Sequence, residues 1–285
     1  MKFPWEKYEE LPVRRINTLQ MFITTHCNLN CTGCFVRGIM GEKKHMELDE
    51  YKSAIKDAAN RGVQRITLIG GEPLLHPDIK EMIQFNNWFG LKTTIYTNGY
   101  FLGNFSKADL QGAKIRVSIY CETGKTKSLN DLPKTADIPF DVCFMVSKNS
   151  TVKELLKTAD YLEIVYFCKV FFISSLRELD NPSQEFFEDT DLTMPVLEYK
   201  KLVHDFLNSY SGEMEIHVSK RGVFESTINQ CGNKCKFANY FIGGKIIQCP
   251  YDIANQKYQR YYSYETRYCQ HNNSCLMSKI ALKQK

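Results

Sequence analysis

Strand-like and helix-like segments alternate about six times between Ile16 and Ser209, and no other feature restricts the fold as strongly. Strands are expected at 16–25, 65–69, 92–96, 114–120, 140–146 and 162–167, the last continuing through 170–174. Helices are expected at 47–60, 77–89, 152–159 and 194–209, with a short one at 106–111. Gly70-Gly71 closes the second strand and Asn98-Gly99 the third, as turn residues do. This order predicts a parallel α/β sheet or an open barrel. After Gly212 the texture changes: one strand is expected at 215–224, followed by cysteines, glycines and tyrosines without helical period. A boundary near Ser211 divides the chain into an extension at 1–15, a barrel at 16–210 and a small cysteine-rich module at 211–285.

The chain's 285 residues and 43% hydrophobic content suit one sizeable core. The formal net charge is only +5. Its lysines are spread out, and Glu42-Lys43-Lys44-His45 reads as a solvated loop, so no nucleic-acid partner is expected. The opening MKFPWEKYEELPVRR has no apolar targeting segment, and the most apolar stretch, 164–176, is too short for a bilayer and carries Lys169. A soluble cytoplasmic protein without a membrane partner is the expectation. Eleven cysteines, an odd number, argue against a disulfide framework in that setting. They cluster: three fall between Cys27 and Cys34, and five between Cys231 and Cys275.

Cys27-Asn-Leu-Asn-Cys31-Thr-Gly-Cys34 directly follows the first strand, where the loops of an α/β barrel build an active site. Three thiolates on one tight loop can serve three irons of a cubane and leave the fourth iron open, which a catalytic metal requires. A zinc knuckle would want a fourth ligand, for which His26 is the neighbour. Gly70-Gly71-Glu72-Pro73 ends the second strand. Its glycines admit close backbone approach, and Glu72 can accept hydrogen bonds from an ammonium.

Together these motifs resemble the radical S-adenosylmethionine superfamily over roughly residues 16 to 210. The resemblance implies a partial (β/α)6 TIM-like barrel. It implies a 4Fe-4S cluster on Cys27, Cys31 and Cys34 whose unique iron chelates S-adenosylmethionine. Reductive cleavage then yields a 5′-deoxyadenosyl radical that takes a hydrogen atom from substrate, with flavodoxin or ferredoxin as electron donor. Gly70, Gly71 and Glu72 match the motif that holds the methionyl amino group, and Thr97-Asn98-Gly99 matches the family's turn after the third strand, with Gly99 read as a tight turn. Ser118 matches a ribose-binding hydroxyl, while Ser147 is a weaker match that reads equally as loop polarity. Gly33 stands where relatives often place an aromatic, so Phe35 is the expected adenine contact.

The later cysteines, with Gly244 four residues clear of Cys249, resemble the auxiliary-cluster modules called SPASM and Twitch, and five cysteines fit the shorter Twitch type. A hairpin through Gly243-Gly244 would return Cys249 towards Cys231 and Cys235, with Cys269 or Cys275 completing an auxiliary 4Fe-4S site. A structural zinc site on the same cysteines is the competing expectation. Cys143 and Cys168 read as core residues, and Cys121 as a residue near the barrel mouth. An auxiliary cluster that accepts an electron suits net oxidation, whereas epimerisation needs a thiol hydrogen donor, Cys121 or a spare C-terminal cysteine.

Only about twenty residues precede the barrel, so a small polar metabolite is the expected substrate and a ribosomal peptide the alternative. Glu122, Lys125, Arg177 and His217 read as surface or loop residues. A non-catalytic iron–sulfur or zinc protein is the remaining alternative, against which the joint presence of the cysteine loop and Gly70-Gly71-Glu72 argues.

Overall fold

The computed structural model of the protein describes residues 16–31, 34, 42–119, 138–175, 194–219, 237–247 and 279–282. Its elements follow in the order β1 (Thr18–Thr24), α1 (Leu48–Asn60), β2 (Arg65–Gly70), α2 (Ile79–Trp88), β3 (Lys92–Thr97), β4 (Ala113–Ile119) and β5 (Phe140–Val146). Then come α3 (Val152–Tyr166), β6 (Val170–Ser175), α4 (Val196–Ser209), β7 (Glu215–Ser219), β8 (Phe237–Phe241), β9 (Lys245–Ile247) and β10 (Lys279–Leu282). Strands β1 to β7 lie side by side in chain order, each parallel to the next. This is the α/β architecture that the alternation predicts, carried one strand beyond six. The described strands after Ser211 all join the same sheet: β7 and β10 at one end, β8 and β9 at the other.

Successive residues of each strand point to opposite faces. Leu19, Met21 and Ile23 of β1, Ile66 and Leu68 of β2, Ile115, Val117 and Ile119 of β4, and Val142 and Phe144 of β5 share one core with Tyr51, Ile55, Met82, Leu155 and Phe206 of the helices. The intervening residues form the inner face, which includes Gln20, Phe22, Tyr96, Arg116, Ser118, Asp141 and Cys143. Every residue of β1 is buried, as expected of a parallel strand covered on both sides. Cys168 and Cys143 are both buried, as their sequence context suggests, Cys168 in the helix-side core and Cys143, register partner of Ser118, on the inner face.

The stretch 162–167, expected as a strand, belongs to α3 except for its last residue. Thr151 caps that helix by accepting the Glu154 N–H. Leu155, Thr158, Ala159 and Leu162 keep a buried stripe at helical spacing. That stripe outweighs the strand-like run Ile164-Val165-Tyr166, whose Ile164 is 72% exposed. The short helix expected at 106–111 is a set of turns, preceded by a 3-10 turn at Leu102–Asn104.

The hairpin through Gly243-Gly244 is present: β8 and β9 pair antiparallel, and both glycines have positive φ. Glu50 of α1 holds its turn by accepting the Gly243 and Gly244 N–H groups at 2.8 and 3.1 Å. Strand β8 pairs in parallel with β1 along its whole length, with Phe22 and Phe241 stacked at 4.2 Å. No helix among the described residues is long and apolar enough to cross a membrane.

Leu162 is fully buried, so Leu162→Ala is expected to cost about 2–5 kcal/mol in urea unfolding. Ile164→Ala should stay within about 0.5 kcal/mol. A strand here would place both residues on one face and make the two costs alike.

Candidate active site

The site forms where β1, β2 and β3 end. As β1 leads into the cysteine loop, its backbone crosses directly over Gly70-Gly71. The Gly71 N–H donates to Thr24 O and the Glu72 N–H to His26 O, both at 2.8 Å. A Cβ on Gly70 would lie 2.3 Å from Thr24 O, and one on Gly71 2.2 Å from His26 O. Gly70 also has φ 147°. The glycines are therefore required by the chain's own crossing, and the backbone they admit is that of the residues entering Cys27.

Glu72 is 1% exposed. Its Oε1 accepts the Leu74 N–H at 3.0 Å and the Thr97 hydroxyl at 2.7 Å, and its Oε2 accepts the Asn98 N–H at 2.8 Å. Those donors favour the carboxylate, but burial outweighs them and pushes the group up to about 6. Three of its four acceptor positions are filled, leaving one on Oε2. Asn98 extends the network: its Nδ2 donates to Asn28 Oδ1 at 2.8 Å, inside the cysteine loop, and its Oδ1 accepts the Tyr100 N–H. Gly99 turns with φ 81°, its N–H bonded to Thr97 Oγ1.

Cys27, Cys31 and Cys34 are in no disulfide, and all three are half-buried. The Leu29 N–H points at Cys27 Sγ at 3.4 Å, and the Cys34 N–H at Cys31 O at 3.4 Å. Burial pushes the Cys27 thiol up, the Leu29 N–H pulls it down, and the nearby Glu72 carboxylate pushes it up again. Bound iron would deprotonate such a thiol outright. The far end of the loop is fastened as well: Thr25 N–H donates to Lys44 O at 2.9 Å, and Met46 N–H to Ile23 O at 2.8 Å.

Among the described residues no three His, Cys, Asp or Glu side chains are arranged to share one metal ion. A cubane makes no such demand, because each thiolate binds a different iron. His26, the candidate fourth zinc ligand, packs edge-on against His45 at 5.9 Å, and His45 against His76 at 5.1 Å. The row ends on a fixed neutral ring: His76 Nε2 donates to Met46 O, and its Nδ1 accepts the Asp78 N–H. Burial holds this ring below its usual range. Sequence reading paired His26 with the cysteines and missed the row.

Ser118 lies on the inner face, 8% exposed, with Cys143 as its register partner on β5. Ser147 is engaged locally, its Oγ accepting the Asn149 N–H at 3.3 Å. His217 is on β7, its Nε2 2.8 Å from Glu215 Oε1. Phe35, Cys121, Cys231, Cys235, Cys249, Cys269 and Cys275, with Glu122, Lys125 and Arg177, lie outside the described residues. The inner-face group Tyr96, Arg116 and Asp141 was not singled out from sequence. Its one signal is the alternation of Lys114, Arg116 and Ser118 along an otherwise apolar strand.

Seven parallel strands, the first leading into a three-cysteine loop fastened to the Gly70-Gly71-Glu72 turn, define an α/β barrel whose candidate site lies at the strand C-termini. The sequence matches the radical SAM superfamily over residues 21–173, more than half of the chain, and the protein belongs to that superfamily. Membership implies a 4Fe-4S cluster and S-adenosylmethionine. A probable GTP 3′,8-cyclase of Pyrococcus abyssi is 25% identical over 190 residues, 62% of this chain and 62% of that protein. An S-adenosylmethionine-dependent nucleotide dehydratase of Flammeovirga pacifica is 37% identical over 86 residues, 28% of this chain and 29% of that one. The chain thus spans less than two thirds of these curated relatives. Streptococcus suis SuiB bound to precursor peptide SuiA superposes with a TM-score of 0.69 at 14% identity, over 88% of this chain and 63% of that chain. That likeness bears on the fold, a partial TIM barrel.

Glu72 holds a proton in the folded protein up to about pH 6, whereas its ordinary value is 4.5. Its burial penalty is full above pH 6 and absent below pH 4.5. From pH 7 down to 4.5 this group alone should therefore raise stability by about 2 kcal/mol. Urea unfolding across that range measures the slope, and Glu72→Gln should remove this contribution.

Proposed function

We propose that the protein cleaves S-adenosylmethionine reductively and takes a hydrogen atom from a small polar metabolite. The observation that carries this reading is the loop of three half-buried cysteines, hydrogen-bonded through His26 to Glu72 at its entry and through Asn28 to Asn98 just after Cys27. In this reading Cys27, Cys31 and Cys34 hold the cluster and leave one iron for the cosubstrate. When bound, the cluster supplies the electron that breaks the sulfonium and leaves a carbon radical.

The protein's own residues supply position. Glu72 offers its remaining Oε2 acceptor to the methionyl ammonium, on a turn whose glycines keep it against the loop. Asn98 holds the loop's Asn28, Ser118 presents a hydroxyl to the ribose, and Phe35 packs near the adenine. Cys231, Cys235, Cys249 and either Cys269 or Cys275 form an auxiliary 4Fe-4S site, supported by the hairpin β8–β9 between Cys235 and Cys249. A flavodoxin or ferredoxin delivers the electron. Curated relatives named for nucleotide chemistry support a small polar substrate over a peptide.

The test is anaerobic reconstitution of wild type and a Cys27→Ala, Cys31→Ala, Cys34→Ala triple variant, with iron, sulfide and 5′-deoxyadenosine measured. About eight irons falling to about four, and 5′-deoxyadenosine lost in the variant, are expected. Wild-type protein that binds iron yet makes no 5′-deoxyadenosine under reduction, even with nucleotides or peptides present, overturns the reading. About four irons falling to none, with zinc retained, makes the later cysteines a zinc site.

A further inference from the structure

One layer below Ser118 the inner face carries a buried cation that no step above uses. Arg116 sits two residues before Ser118 on β4, about 6.6 Å along the strand on the same face. Its register partners are Tyr96 on β3 and Asp141 on β5. Arg116 is 4% exposed. Its Nη1 donates to the Tyr96 hydroxyl at 2.9 Å, and the guanidinium lies over the Tyr96 ring, 5.4 Å from its centre. Nη2 stands 3.7 Å from Asp141 Oδ2, beyond hydrogen-bond reach. Nε is buried and makes no hydrogen bond. A guanidinium carries five N–H donors, so most of this one's capacity is unspent in a place where unspent donors are costly.

The local charge does not balance either. Asp141 Oδ2 is also 2.5 Å from Lys114 Nζ, so one carboxylate faces two cations. Lys114 is half exposed and largely screened by water, whereas Arg116 is enclosed. Burial pushes the Tyr96 hydroxyl and the Cys143 thiol up, the latter to about 12, so neither supplies negative charge. Asp141 spends its other oxygen on the Val170 N–H at 3.1 Å.

The layer is also reachable. Tyr96 in this layer and Ile69 beside it on β2 are only half-buried, while their helix-side neighbours Leu68 and Ile95 are fully buried. Tyr96 and Asp141 hold the guanidinium from either side, leaving its planar fork suited to a bidentate partner such as a carboxylate or phosphate.

We propose that Arg116, oriented by Tyr96 and Asp141, binds an anionic group of the substrate inside the barrel, so that the substrate is an acidic small molecule carrying a carboxylate or a phosphate. This rests on the proposed function only in taking Ser118 as the cosubstrate side of the barrel. The Ser118 layer then lies between the cosubstrate and the anion.

The test is calorimetric titration of the anaerobically reconstituted full chain, loaded with S-adenosylmethionine, with inorganic pyrophosphate and separately with succinate. Saturable binding of one probe identifies the anion class. Arg116→Gln should weaken that binding at least about tenfold, and Arg116→Lys, which keeps the charge but loses the fork, by less. Thermal unfolding and S-adenosylmethionine binding report whether each variant is folded. Should Arg116→Gln fail to fold, Arg116→Lys and Tyr96→Phe carry the test, and each should still weaken the probe severalfold. The inference is overturned if wild type binds S-adenosylmethionine but neither anion, or if the folded Arg116 variants bind the anion as wild type does. If S-adenosylmethionine fails to bind while Arg116-dependent anion binding persists, the proposed function falls and the anion site stands.

Discussion

The crossing of two backbones at the top of the sheet governs the rest of the site. Gly71 and Glu72 donate their N–H groups to Thr24 and His26, and the lack of a side chain at 70 and 71 is what lets those carbonyls come within reach. From that contact the site extends outward. Glu72 is carried into a buried position where Leu74, Thr97 and Asn98 meet its carboxylate, and Asn98 reaches back to Asn28. Three strand ends are thus joined around the cysteine loop through short polar contacts, most of them backbone donors, whose geometry varies little.

The two faces of the sheet divide the work. The helix side is almost wholly apolar, with Tyr51, Asn86 and Thr93 forming a satisfied polar chain across α1, α2 and β3. The inner face is mixed and partly unsatisfied, with Arg116 at its centre. Folding alone gives no reason to place an under-bonded guanidinium in a barrel when an apolar side chain would pack there, so the polarity of this face is better understood as chemistry than as stability.

Much of this was legible from residues adjacent in the chain. Cys27, Cys31 and Cys34 share one loop, and Gly70, Gly71 and Glu72 share one turn, so their spacing alone marks them. The parallel strand order followed from alternation, and Gly243-Gly244 announced the hairpin. What the sequence hid is assembled across strands. Tyr96, Arg116 and Asp141 meet only through register, and His26, His45 and His76 only because the cysteine loop folds back on β1. The misread strand at 162–167 has a different cause. A β-branched and aromatic run looked extended, but the spacing of Leu155, Ala159 and Leu162 committed it to the helix. Cys143 is buried, as a strand cysteine of that context should be, and alternation decides only which face of the sheet it lies on.

The pairing of β8 with β1 bears on how the molecule is made. Strand β1 is an early piece of the barrel to leave the ribosome, yet one of its edges is sealed only by residues 237–241. Until those emerge, the strand that leads into the thiol loop presents an open row of backbone donors and acceptors. So long-range a pairing forms slowly and late. The loop that follows β1 is therefore framed only once a segment remote in the chain has docked beside it, which ties the order of the thiol loop to the folding of the β8–β9 hairpin.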